Sequence, residues 1–271
     1  MTAASRNSEV DLAALLRLAS DAAREAGALL RAMQVEAHAS VETKSSRTDM
    51  VSDADRSSER LVVERILAAR PDDAILGEET GERAGTSGVR WMIDPLDGTT
   101  NYLYGNPFYA VSVGASLNGE TVVGAVYAPV LDELFTAVVG RGAQLDGRPI
   151  HASDKSELAT ALLDTGFDYA AEKREVQGRV VAQLVHRVRD IRRFGAASLD
   201  LCWVAAGRAD AYYERGLGGW WDIAAGELIA REAGAITSST EGGPHSPASM
   251  LAAAPGIHAA LLELLRGATS E

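Results

Sequence analysis

The string Trp91-Met92-Ile93-Asp94-Pro95-Leu96-Asp97-Gly98-Thr99-Thr100-Asn101 carries the densest chemistry in the chain. A hydrophobic run delivers Asp94, Pro95 fixes the turn, and Asp97 follows one residue after Leu96. Two carboxylates held that close repel each other unless a cation lies between them. Hard divalent ions favour such oxygen ligands, and Mg²⁺ in particular keeps several waters and shares a substrate phosphate. Gly98 lets backbone N–H groups approach an anion, and a short helix opening over Thr99–Asn101 would cradle phosphate oxygens. An isolated Asp97-Gly98 pair would serve a turn equally well, but the whole string is too specific for that reading alone.

Other acids take their meaning from this string. Gly77-Glu78-Glu79-Thr80 precedes it, and paired acids in a loop are ordinarily just solvated. Asp55, in Val51-Ser52-Asp53-Ala54-Asp55, fits an N-cap or first-turn acid of a helix. Asp222 stands likewise where Trp221-Asp222-Ile223-Ala224-Ala225-Gly226 opens a helix. Each is explained singly by structure; together and in this order they suggest a cation-assisted phosphate site.

The elements that must position them follow from periodicity. Leu12, Leu15, Leu16, Ala19, Ala23, Ala26, Leu30 and Met33 recur at helical spacing, and 38–44 alternates like a short strand. A polar loop is expected over 45–49 and a second helix over 54–70, closed by Pro71. Thr80–Gly88 reads as a loop, and 89–93 as a strand stopped at Asp94 by Pro95. Strands at 109–117 and 121–127 flank Asn118-Gly119, a strong hairpin signal; 134–139 adds another strand and Asp146-Gly147 another turn. The second half alternates helix (172–186, 197–206, 222–233, 256–265) with strand (191–194, 209–214, 250–254). Antiparallel strands first and alternating elements afterwards predict an α/β protein of the α+β type, with two layers sharing one core. Halves at 1–155 and 156–271 form one compact unit, the second completing a site whose acids lie mostly in the first.

Composition removes several function classes. With 26 Lys+Arg against 38 Asp+Glu among 271 residues, the formal charge is −12, and no basic stripe offers itself to nucleic acid. Apolar stretches such as 122–130 are too short to cross a bilayer. The single cysteine, Cys202, lies in an apolar run and reads as a buried small hydrophobe. No signal peptide is apparent, so a cytoplasmic location is expected.

Gly77–Thr80, the Asp94–Asn101 string, Trp221–Gly226 and Glu232-Ala233-Gly234 resemble the signatures of the inositol monophosphatase family. Lys44-Ser45-Ser46 and Val51–Asp55 resemble the family's N-terminal loop and helix start, and the resemblance runs from about Ala19 to Leu265. It implies a Mg²⁺-dependent, lithium-sensitive phosphomonoesterase with a layered αβαβα sandwich of the sugar-phosphatase kind, commonly a homodimer. The implied metal ligands, for two or three ions per site, are Glu78, Asp94, the Leu96 carbonyl, Asp97 and Asp222. Gly98 and Thr99 would bind phosphate through backbone amides. Thr99, hydrogen-bonded to Asp55, would orient the attacking water together with Glu78, and Gly195, Ala197 and Glu214 would contact the inositol ring.

On the same resemblance, the substrate is an inositol monophosphate, hydrolysed to myo-inositol and phosphate by metal-activated water. The alternatives are another small phosphomonoester (histidinol phosphate, fructose 1,6-bisphosphate or a nucleotide 3′-phosphate) or a non-enzymatic protein partner in transcription or ribosome biogenesis. Two departures from the pattern stand out. Arg215–Trp221 holds one residue more than is usual between Glu214 and Asp222, in a glycine-bearing loop expected to hold Glu214 loosely. Ala196 stands where some relatives carry a hydroxyl.

Overall fold

The helical stripe of the N-terminal region is buried as its period requires: α1 (Leu12–Ala39) turns Leu15, Ala19, Ala22, Ala26 and Leu30 inward. A computed structural model describes residues 10–39 and 47–268, with side chains described for 10–34 and 53–268. The expected strand over 38–44 is overturned at its start, because α1 continues through Ala39; residues 40–46, with Lys44, Ser45 and Ser46, lie outside the described residues. α2 (Arg47–Ala69) begins before the expected Ala54, so Asp55 sits inside the helix and is not a cap.

A large sheet follows. Its strands are β1 (Ala74–Gly77), β2 (Gly81–Arg83), β3 (Val89–Asp97), β4 (Ala110–Leu117), β5 (Glu120–Ala128), β6 (Glu133–Val138), β7 (Ala143–Leu145) and β8 (Arg148–Ile150). They run in the order β2-β1-β3-β4-β5-β6-β7-β8. The segment 80–88, expected to be all loop, contributes β2, which pairs back on β1. Asn118 and Gly119, at φ 53° and 89°, make the tight turn between β4 and β5 as their types predict.

A smaller sheet has the order β10-β9-β11-β13-β12, from β9 (Leu162–Thr165), β10 (Asp190–Arg192), β11 (Ala211–Arg215), β12 (Ile236–Ser238) and β13 (Ser249–Ala253). The remaining helices are α3 (Thr99–Tyr104), α4 (Ala171–Leu184), α5 (Ala197–Ala205), α6 (Trp220–Glu232) and α7 (Pro255–Ala268).

Side-chain alternation along the strands separates the layers. One face of the large sheet packs Trp91, Ile93, Val113 and Val123 against α1 and α2. Its other face packs Val126, Phe135 and Ala137 against Leu199, Cys202, Leu228 and Ile229 of α5 and α6. Those two helices turn Leu201, Val204 and Ile223 to Tyr212 and Met250 of the small sheet. That sheet's far face, with Leu163 and Leu251, is covered by Leu184 of α4 and Leu261 of α7. The result is an αβαβα sandwich. Among the described residues, no helix is long and apolar enough to cross a membrane.

One buried acid disturbs this middle layer. Asp164 lies on β9 opposite Tyr212, fully buried, with neither carboxyl oxygen hydrogen-bonded in the protein. Burial pushes its pKa up to about 7; Arg192 opposes the shift and Asp210 adds to it. The folded state therefore retains a proton that the unfolded chain has lost, and stability falls as pH rises from the unfolded value, 3.8, towards about 7. Asp164→Asn is expected to stabilise the protein more at pH 8 than at pH 5, by about 1–3 kcal/mol. Urea unfolding at both pH values measures this; a difference independent of pH contradicts it.

Candidate active site

Three elements of the large sheet and its flanking helix bring the acids together. β1 pairs parallel to β3 with Gly77 opposite Ile93, and the Glu78 N–H continues the ladder by donating to the Ile93 carbonyl at 3.2 Å. Glu78 is thereby set beside Asp94. In a regular strand Asp94 and Asp97 would face opposite sides, since side chains alternate. The pairing of β3 with β4 shifts between them, Asp94 opposite Ser112 and Asp97 opposite Ala110, which turns both carboxyls to the same side. The strand thus continues through Pro95 to Asp97, beyond the expected stop at Asp94. The Leu96 N–H donates to Asp94 Oδ1 at 3.0 Å and holds that turn.

The middle helices supply the other wall. Asp222, in the first turn of α6, accepts the Gly219 N–H at 3.1 Å, and Ser112 Oγ donates to the Trp221 carbonyl at 3.3 Å, tying this helix start to β4. Asp97 is bound to the N-terminus of α5. Its carboxylate accepts the amides of Ala197 (3.1 Å) and Ser198 (2.7 Å) and the Ser198 hydroxyl (2.6 Å).

Glu78, Asp94, Leu96, Asp97, Gly98, Thr99, Gly195, Ala197, Glu214 and Asp222 all line one cavity of about 170 Å³. Glu78, Asp94, Asp97 and Asp222 all titrate upward. Burial, then the charge of Asp222, raises Glu78 to about 7, and burial raises Asp97 to about 6 against the Ser198 hydrogen bond. Asp94 is driven well up by burial and by Glu78 and Asp97, and Asp222 is raised by burial. The Asp94 carboxyl lies close enough to Glu78 and Asp222 for each to feel it, and like charges gathered in one buried place disfavour full ionisation.

The remaining expected residues fall into place unevenly. Asp55 is buried off the cavity wall, held at about 8 by burial and then by Glu79 and Glu78. The expected bond from Thr99 to Asp55 is not formed: the Thr99 hydroxyl donates to the Leu96 carbonyl, three residues back, at 3.1 Å. Gly98 has φ +93°, and a Cβ there would lie 2.8 Å from the Phe108 carbonyl oxygen. Glu214 is not loosely held. It belongs to β11, where it pairs with Met250 of β13, and accepts the hydroxyl of fully buried Tyr212 at 2.7 Å. Burial raises it to about 7. The loop after it is anchored too, with Gly216 and Leu217 N–H donating to the Ala248 and Pro247 carbonyls at 3.1 and 2.9 Å.

Two positioning residues escaped the reading of the sequence. Glu59, fully buried on α2, accepts the N–H groups of Glu79 and Thr80, each at 2.8 Å, and so fixes the loop that presents Glu78. Its signal was legible: Asp55, Ser58 and Glu59 are polar residues on the same buried side of α2 as Val62 and Ile66. Asn101 donates through Nδ2 to the carbonyls of Phe108 and Phe194, both at 2.6 Å, fastening the segment after β10 to α3.

Mg²⁺ is tested here by donor chemistry. Among the described residues, no three His, Cys, Asp or Glu side chains form a ready metal cage, and Asp97 is engaged by the α5 amides. Yet Glu78, Asp94, Asp97 and Asp222 present only oxygens to one cavity, and their mutual repulsion is what a hard cation offsets. The donor set fits.

A model of the inositol monophosphatase family matches residues 11–270. The chain belongs to the inositol monophosphatase family. It is 44% identical to "Inositol-1-monophosphatase SuhB" of Mycobacterium tuberculosis (strain ATCC 25618 / H37Rv), over 94% of each chain. It is 40% identical to "Nus factor SuhB" of Escherichia coli (strain K12), over 95% of this chain and 97% of that one. The solved structure of inositol monophosphatase from Anabaena (Nostoc) sp. PCC 7120 superposes with TM-score 0.84 at 37% identity, covering 95% of this chain and 97% of that one. Shared fold and family thus agree with the site's oxygen-rich chemistry.

Proposed function

We propose that the chain is a Mg²⁺-dependent phosphomonoesterase whose leading substrate is an inositol monophosphate, and that it works as a lithium-sensitive, cytoplasmic homodimer. The observation that carries the catalytic part is the convergence of Glu78, Asp94, Asp97 and Asp222, from separate elements, on one cavity where burial makes their charges costly. Glu78, Asp94 and the Leu96 carbonyl would hold one ion, and Asp94, Asp97 and Asp222 another. When bound, Mg²⁺ supplies charge stabilisation for the phosphoryl group and acidifies water.

The protein's own groups do the rest. Backbone amides of Gly98 and Thr99 take phosphate oxygens, and the Thr99 hydroxyl and the Glu78 carboxyl orient the attacking water. Asp55, which holds a proton near neutrality, stands within reach of the charges of Glu79 and Glu78. Gly195, Ala197 and Glu214 face the alcohol portion, where Glu214 accepts substrate hydroxyls.

Glu59 gives this reading a separate check. A glutamine there cannot accept both loop amides through one oxygen as well as a carboxylate does. Glu59→Gln is expected to raise the Mg²⁺ concentration for half-maximal activity about tenfold, and to weaken Mg²⁺-induced thermal stabilisation in parallel. Unchanged Mg²⁺ dependence in a folded variant rejects the positioning role.

Histidinol phosphate, fructose 1,6-bisphosphate and a nucleotide 3′-phosphate are the competing substrates. A second reading, a protein partner in transcription or ribosome biogenesis, is favoured by the relative named "Nus factor SuhB". The charge of −12 directs that reading towards protein contact. Phosphate release from a panel of these esters, with and without Mg²⁺, separates the possibilities. Turnover greatest on inositol 1-phosphate supports the leading reading, and none on any ester leaves only the partner role.

A further inference from the structure

We propose that Arg193 forms a subsite for a second anionic group on the alcohol portion of the substrate, so that the cavity favours phosphomonoesters bearing another phosphate or a carboxylate. This rests on the phosphatase reading above and extends its substrate class. Among the residues lining the cavity, Arg193 is the sole Lys, Arg or His. It shares that wall with Gly195 and Glu214, on the side assigned to the alcohol.

Arg193 makes no hydrogen bond or ion pair with any described residue. Its neighbours in the same part of the fold do otherwise: Arg192 pairs with Asp190 at 2.5 Å and Arg215 with Glu241 at 2.6 Å. Asp168, another acid on the wall, is already neutralised by Lys173 at 2.7 Å. Glu214 feels the Arg193 charge, which opposes its upward shift, but has its Oε2 occupied by Tyr212. The guanidinium is therefore a free cation facing a cavity built for phosphate esters.

Its placement is constructed by the backbone. Gly195 has φ +86°, and a Cβ there would collide with the Arg193 guanidinium, so the group lies across the bare face of the glycine. The intervening Phe194 is anchored through its carbonyl to Asn101 Nδ2 at 2.6 Å, which relates Arg193 to the phosphate-facing start of α3. A planar guanidinium offers paired donors that match a phosphate or carboxylate, whereas a neutral hydroxyl uses them poorly.

Matched substrates isolate the second anion. Fructose 1,6-bisphosphate against fructose 1-phosphate tests a phosphate, and 2-phosphoglycerate against glycerol 2-phosphate tests a carboxylate. The wild-type protein is expected to favour the doubly anionic member by about tenfold in kcat/KM in at least the phosphate pair. Arg193→Gln should bring that ratio to within about twofold of one, and Arg193→Lys should retain part of it. Thermal shifts with each ligand in Ca²⁺, a hard cation with the same preference for oxygen, give a binding readout that needs no turnover. No preference in the wild type, or a preference that survives Arg193→Gln, overturns the proposal. Absence of phosphate release from every ester, with an Arg193-dependent binding preference intact, instead overturns the phosphatase reading and leaves the subsite standing.

Discussion

Asp94→Asn is expected to lower phosphate release at least about a hundredfold while the protein remains folded. Asp94 is the acid shared by both proposed ions, and it stands among the charges of Glu78, Asp97 and Asp222. An amide keeps the shape and the contact with the Leu96 N–H but supplies no charge to a hard cation, and such sites owe several kcal/mol of transition-state stabilisation to their ions. The same change relieves repulsion among the acids. In the metal-free protein the raised carboxyls retain protons that the unfolded chain has lost, so stability declines as pH rises from about 4 to about 7. Asp94→Asn should flatten that decline and raise the melting temperature at pH 8 in the presence of a chelator. Retention of more than about a tenth of the wild-type rate would defeat the shared-ligand role.

Gly98→Ala should impair both fold and activity. Gly98 sits in the left-handed region at φ +93°, and the added Cβ would lie 2.8 Å from the Phe108 carbonyl oxygen and 3.2 Å from Tyr109 Cα. Both neighbours are backbone, so neither can swing aside as a side chain would. A combined strain and clash of this kind costs about 1–3 kcal/mol. Any relaxation must displace Gly98 and Thr99, whose amides are assigned to the phosphate, so kcat/KM should fall about tenfold or more even at temperatures where the variant is fully folded. Urea unfolding together with steady-state kinetics checks both effects; a variant as stable and as active as wild type contradicts them.

Much of this fold was legible in the sequence because its signals are local. The α1 stripe, the Asn118-Gly119 turn and the helices opening at Ala197 and near Asp222 are written in residues close to one another. The short strands β1, β2, β7, β8, β9 and β12 were not, since three or four residues carry too little alternation to register and gain their place from neighbours. The acids around Asp94 could be nominated from motif and resemblance, and they do share one cavity. How they are held is a tertiary matter. Nothing local tells that Asp97 is bound by the α5 amides, or that Asn101 holds the Phe194 carbonyl. The glycines of 216–219 suggested a loose Glu214, but it is held by its pairing with Met250 of β13 and by the Tyr212 hydroxyl. Glu59 lay in plain view as an acid on a buried helical stripe, and only its partners reveal what it positions.

The most direct test is phosphate release from inositol 1-phosphate by the purified, chelator-treated chain, followed as Mg²⁺ is restored. Negligible release before addition and saturable release after it, absent in Asp94→Asn, is the expected result. Release that proceeds unchanged without a divalent cation, or that never appears at saturating Mg²⁺, contradicts a cation-dependent phosphatase built on Glu78, Asp94, Asp97 and Asp222.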